Sequence, residues 1–132
     1  MQNVSSPIHY QGASPIGRRI LLKTIAISSV ELRGECIDYL EANPRYSDFH
    51  MASAIKYIWR AGAKGDTVED LEKAIWFLDR RLHPRRRNFN FFFHSAFGGD
   101  RASVDALTIN LINAIQLKIK GLKHNAAILP RD

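Results

Sequence analysis

"DTVEDLEKAIWFLDRRLHP" (Asp66–Pro84) decides the fold. Asp66 with Glu69 three residues later has the pattern of a helix-capping box. Val68, Leu71, Ala74, Ile75, Leu78 and Leu82 then recur at helical spacing and form one apolar stripe, until Pro84 ends the run. The other side carries Asp70, Lys73, Phe77 and Arg80, with Trp76 nearby. The spacing directs Asp70 and Lys73 away from the core, where an ion pair on a solvated face is the ordinary arrangement. Two large aromatics on such a face point instead to a base-stacking surface or an interface.

Upstream, residues 48–61 predict a second helix, capped by Ser47 or Asp48 and ended by Gly62. Met51, Ala52, Ile55, Ile58 and Trp59 make its apolar stripe. A further helix is expected over Val30–Ala42, stopped by Asn43-Pro44, with Glu31, Glu35 and Asp38 sharing one arc. Residues 18–28, rich in β-branched and apolar side chains, predict a strand, and residues 1–17 an irregular arm. Downstream, "PRRRNFNFFFHSAFGGD" reads as a loop or a short strand able to pair with residues 20–27. A last helix is expected over Arg101–Leu122 with the stripe Val104, Leu107, Leu111, Ile115, Ile119 and Leu122. Ile109, Ile112 and Leu117 widen that stripe, as a homo-oligomer interface would.

The expected architecture is mainly α: a compact bundle of about four helices with a small two-stranded β element. Residues 1–28 form the arm and strand, 29–83 the helical domain, and 84–132 a basic, aromatic loop and a helix packing on the same domain.

Composition sets outer bounds. The chain has 132 residues, 45% of them apolar, which suffices for one domain with its own core. Its net charge of +6 suits a phosphate-bearing partner. Cys36 is the single cysteine, so a disulfide within the chain is excluded, and the five His show no metal-ligand spacing. A reducing cytoplasm fits this usage. "GRRILLKTIAISSV" has the twin arginines of an export motif, but Glu31 and Arg33 cut its apolar run short. No stretch is long enough to span a membrane.

Lys56 and Arg60 are spaced i, i+4 and point the same way from their helix, with Lys64 following in a Gly-flanked turn. The next helix start offers free backbone N–H groups, as phosphate sites often do. Lys gives a point charge and Arg a fork, both suited to phosphate oxygens. A solvated face paired with nearby acids is the alternative, and Glu31, Glu35 and Asp38 could supply those acids or hold Mg²⁺. Arg80, Arg81, Arg85, Arg86 and Arg87, followed by Phe residues, make a nucleic-acid candidate across Arg80–Arg87. A P-loop and a nucleophile elbow are both absent.

Four ordered motifs then carry a resemblance. They are Pro7, His9 and Tyr10; Ile37 and Asp38; Lys56, Tyr57, Trp59 and Arg60; and Asp70, Leu71, Lys73, Ala74 and Trp76. The segment from Glu35 to Leu82 resembles a family of small phage domains of unknown function described as nucleotide kinase-like. In that family the His-Tyr arm leads almost directly into the acidic helix, whereas here residues 12–28 intervene.

The resemblance implies phage origin, a role in the host cytoplasm and a non-P-loop kinase acting on (deoxy)nucleoside monophosphates. On that reading ATP or another nucleotide is the donor, and no metal ligands are assigned. Lys56, Arg60 and Lys73 would hold phosphates, and Asp38 or Asp70 would orient the cations or accept a proton. His9, Tyr10, Trp59, Lys64 and Trp76 would contact the nucleotide. Two rivals stand beside it. One is a non-catalytic nucleotide- or nucleic-acid-binding accessory protein. The other is an all-helical, metal-dependent pyrophosphohydrolase using Glu35-x-x-Asp38 and Glu69-x-x-Glu72.

Overall fold

Met51, Ala54, Ile55 and Ile58 have no exposed surface, and all four lie on one helix. That helix is the centre of the fold. In the computed structural model, which describes residues 12–83 and 101–128, the order is α1 (Pro15–Thr24), a 3-10 turn (Ser29–Leu32), α2 (Cys36–Ala42), a second 3-10 turn (Pro44–Tyr46), α3 (Phe49–Arg60), α4 (Thr67–Leu82) and α5 (Arg101–Ile128). Central α3 packs along α4 and touches α1 and α2, while α5 lies across α4 and α1. Leu21, Leu71, Ala74, Leu78, Leu111 and Ile115 close the core from the surrounding helices. The fold is mainly α, as expected.

Three local expectations need correction. The strand predicted over residues 18–28 is helix α1, and no strand occurs among the described residues. Its first turn is set by Ser14, whose Oγ accepts the Gly17 N–H at 3.0 Å, and by Pro15 at the first helical position. Buried Gly17, Ile20 and Leu21 then share its inner side. The helix expected over Val30–Ala42 is broken: a 3-10 turn ends at Leu32, and α2 restarts at Cys36. The Asp38 carboxylate makes the restart by accepting the Glu35 N–H at 3.0 Å. Glu31, Glu35 and Asp38 therefore do not share one helical arc. The last helix continues past Leu122 to Ile128.

Α-helices α3 and α4 begin as the sequence indicates. Asp48 accepts the Met51 N–H at 3.2 Å, and Asp66 accepts the Glu69 N–H at 3.0 Å. Between them Gly62 and Gly65 take φ of +86° and +80°, a left-handed turn that L side chains resist.

Two contacts fix the outer helices. At Gly17 the backbone of α1 lies directly on α3, and a Cβ there would run into the Ile58 carbonyl. Arg81, with only 11% of its side chain exposed, joins three elements. Its Nε lies 3.2 Å from the Asp48 carboxylate at the start of α3, and its Nη1 lies 3.7 Å from Asp105 on α5.

Gly17→Ala should destabilise the chain by about 3 kcal/mol, because backbone cannot yield as a side chain can. Arg81→Ala should cost about 3 kcal/mol, since it strips a largely buried Asp48 of its countercharge. Urea unfolding followed by circular dichroism measures both, and a change within about 0.5 kcal/mol in either would contradict these roles.

Candidate functional site

The i, i+4 spacing of Lys56 and Arg60 places both on the solvent side of α3, while Ile55, Ile58 and Trp59 turn inward. Helix α2 lies beside them. Between the two helices is a cavity of about 450 Å³ lined by Glu35, Cys36, Ile37, Leu40, Lys56, Trp59 and Arg60. Its surface is largely apolar, with two cations and one carboxylate among the lining residues. Small-molecule sites commonly have this size and composition.

Arg60 is held from behind. Its Nη2 lies 3.3 Å from Asp70 Oδ1 and its Nε 3.5 Å from Asp70 Oδ2. Asp70 is only 3% exposed, which corrects the expectation that it faces away from the core. A carboxylate is kept at that depth only with a charged, hydrogen-bonded partner. Arg60 is that partner, while 45% of its own side chain stays open to solvent. Lys73 takes a different acid, Glu69, at 3.4 Å. Arg60 and Lys73 both lean on Tyr57, at 5.4 and 5.6 Å from its ring centre.

An aromatic row continues from there. Tyr57 stacks on Phe77 at 5.9 Å, and Phe77 meets Trp76 edge-on at 5.0 Å and Phe49 at 5.7 Å. Trp76 is 53% exposed and Arg80 lies 4.9 Å from its ring centre.

The structure therefore brings Lys56, Trp59 and Arg60 to one cavity and puts Asp70 directly behind it. Lys73 stands next to it, across Tyr57. Trp76 lies further along α4, and Lys64 is exposed in the turn. Trp59 is 4% exposed and tilted against Tyr39 at 5.7 Å, so it forms part of the cavity's inner wall. Its Nε1 is buried with no hydrogen-bond partner among the described residues. Asp38 is engaged in capping α2. His9, Tyr10 and Arg85–Arg87 lie outside the described residues, and Arg81 of the expected Arg80–Arg87 patch is committed to Asp48 and Asp105.

Sequence reasoning missed the α2 side of the cavity. Cys36 and Leu40 are one turn apart, so helical spacing puts them on one side, and only the packing of α2 on α3 shows that they line a space. The missed Tyr57 had a signal: it is adjacent to Lys56 and one turn before Arg60. Burial pushes the Cys36 thiol up to about 12, with Lys56 only partly opposing it. At neutral pH Cys36 is a protonated wall residue and no nucleophile.

Among the described residues no three His, Cys, Asp or Glu side chains are grouped to hold a metal ion. Glu69 and Glu72 pair instead with Lys73 and Lys123. Also among these residues, no helix is long and apolar enough to cross a membrane.

Residues 30–79 match the model of a family described as a protein of unknown function (DUF3310). The match begins in the first 3-10 turn and ends within α4, so it takes in the whole cavity lining. No curated protein and no solved structure matches the chain.

His50, on α3 beside Phe49 and Phe77, has its pKa lowered. Burial is the main cause, and Arg80 and Arg81 add to it while Asp48 opposes. The folded chain thus disfavours the proton that the unfolded chain takes up below about 6.5. Stability from this group is present above that pH and is lost as pH falls through the lowered folded value. Urea midpoints should drop between pH 7.5 and 5.5, and by less in His50→Gln; equal drops in the two proteins would contradict the assignment.

Proposed function

We propose that this chain is a nucleotide-binding protein that transfers a phosphoryl group to (deoxy)nucleoside monophosphates without a P-loop. One observation carries the reading: Lys56 and Arg60 line an apolar, aromatic-walled cavity, with Arg60 backed by the buried Asp70. The resemblance to nucleotide kinase-like phage domains supports it, and so implies phage origin and work in the host cytoplasm.

In this reading the base rests against Ile37, Leu40 and the edge of Trp59. The acceptor phosphate meets Lys56 and Arg60, and Lys73 contributes charge on the donor side. An oxygen of the monophosphate attacks the terminal phosphorus of ATP. The bond from that phosphorus to the bridging oxygen breaks, leaving ADP and a nucleoside diphosphate. Such transfers depend mainly on positioning and on cations matched to the developing charge. Arg60 supplies a fork whose orientation is already fixed, and Lys56 a mobile point charge. Asp70 acts through Arg60 as a positioning residue.

Separating the products of each deoxynucleoside monophosphate incubated with ATP, with and without Mg²⁺, tests the reaction. Diphosphate formation is the expected result. Lys56→Ala and Arg60→Ala should each weaken nucleotide binding by tenfold or more, the equivalent of losing about 1.5 kcal/mol from a charged hydrogen bond. Far-UV circular dichroism should be unchanged in Lys56→Ala, whereas Arg60→Ala, which strands the buried Asp70, should also lower the urea midpoint. Binding that survives both substitutions would overturn the site. Tight binding without turnover would leave a non-catalytic nucleotide-binding protein. Pyrophosphate released from triphosphates would replace the kinase with a pyrophosphohydrolase.

A further inference from the structure

The chain's positive charge is unevenly placed. Residues 30–79 hold ten Asp and Glu against six Lys and Arg, so the segment that carries the nucleotide cavity is acidic. The flanking helices are the reverse. Neither α1 nor residues 106–128 of α5 contains a carboxylate, yet they carry Arg18, Arg19, Lys23, Lys118, Lys120 and Lys123.

These two helices pack on each other, and a groove of about 260 Å³ runs between them. Arg19 and Lys23 line it from α1 and Lys118 from α5, over apolar walls of Ile20, Ala114 and Leu117. At Gly121 the lining is open: nothing lies within 4 Å of where a Cβ would be. Arg60, Lys73, Arg81 and Lys123 each have a carboxylate partner. Arg19, Lys23 and Lys118 have none among the described residues.

Three unpaired cations gathered in one groove repel one another, a cost that a bound polyanion removes. The α1 macrodipole accounts for a cation in the last turn, Lys23, but not for Arg19 or Lys118. The lining side chains are hydrogen-bond donors without an acceptor, which matches phosphate oxygens. A bound peptide would bring backbone N–H groups, for which these side chains offer no acceptor. Arg19 and Lys23 are one helical turn apart, about 6 Å along the axis, on the order of the separation between successive phosphates of a strand.

We infer that the groove between α1 and α5 binds a nucleic-acid strand through its phosphodiester backbone. It is separate from the cavity between α2 and α3, and the inference does not rest on the nucleotide reading.

The test is fluorescence anisotropy with a labelled mixed-sequence single-stranded DNA, its duplex and the matching RNA, over a salt series. The log of the association constant for single strands should fall with the log of salt concentration at a slope of about −2, as three neutralised phosphates give. Arg19→Gln, Lys23→Gln and Lys118→Gln together should flatten that slope and weaken low-salt binding tenfold or more. Arg19 and Lys23 are exposed and Lys118 is half-buried without an ion pair, so the helical content should hold; Lys118→Glu alone provides a second variant. Lys56→Ala, which removes a cation of the other cavity that has no ion pair among the described residues to lose, should leave strand binding intact. Binding by the triple variant with unchanged affinity and slope would overturn the proposal. So would no binding by folded wild-type protein at low salt. Poly-glutamate competing as well as the oligonucleotide would overturn it in favour of an acidic protein partner.

Discussion

Asp70 is a carboxylate inside a small helical protein, and its burial constrains everything near it. Its charged partner among the described residues is Arg60, ten positions earlier. The pair ties the last residue of α3 to the first turn of α4 across a turn that Gly62 and Gly65 make in left-handed geometry. A buried ion pair of this kind adds little to net stability over an apolar substitute, because desolvation offsets most of the attraction. It does fix direction. Arg60 cannot leave Asp70 without stranding a charge, so its guanidinium stays where it faces both the cavity and the Tyr57 ring. Lys56, one turn earlier on the same side, inherits that placement from the helix.

Much of this was legible in the chain and some was not, for identifiable reasons. Stripes such as Met51–Ile55–Ile58 and Leu71–Ala74–Leu78 report helices directly, because burial of one side imposes the 3.6-residue period. Residues 18–28 read as a strand because Ile20, Ile25 and Ile27 favour strands by propensity, while tertiary packing on α3 makes Pro15–Thr24 a helix. Ser14-Pro15, a cap followed by a first-turn proline, was the signal that outweighed it. The break before α2 is written in Gly34 and in Glu35-x-x-Asp38, acids whose spacing reads equally as ion-pair partners for Lys56 and Arg60 or as Mg²⁺ ligands. The depth of Asp70 was not legible at all. Helical spacing says which residues share a side of one helix, but not whether a partner from the preceding helix reaches over to neutralise one of them. The cavity was hidden for the same reason, since half of its wall comes from α2.

The charges divide the molecule into two halves with different chemistry. The matched segment is acidic in sum, and beside its cavity Arg60 and Lys73 are each held by a carboxylate and by the Tyr57 ring. The flanking helices α1 and α5 lie outside that match, and between them Arg19, Lys23 and Lys118 have no countercharge among the described residues. An anion approaching the protein therefore meets two kinds of positive surface. One is tuned residue by residue, with Asp70 setting Arg60. The other is a field with no local compensation, which attracts polyanions by density of charge.

The meeting of α1 and α3 at Gly17 has a consequence for that second surface. Because backbone lies on backbone there, α1 cannot roll or slide without separating from α3, and side-chain rearrangement offers no slack. Arg19 and Lys23 are anchored within six residues of this contact, and their helix sets one bank of the groove. Its width is thus settled when the protein folds, before any ligand arrives. A rigid bank spares the complex the ordering entropy that a hinged one would lose on binding. It also imposes a selection on ligands, since a strand must adapt its own curvature to the groove, and stiff duplexes will adapt less readily than flexible single strands.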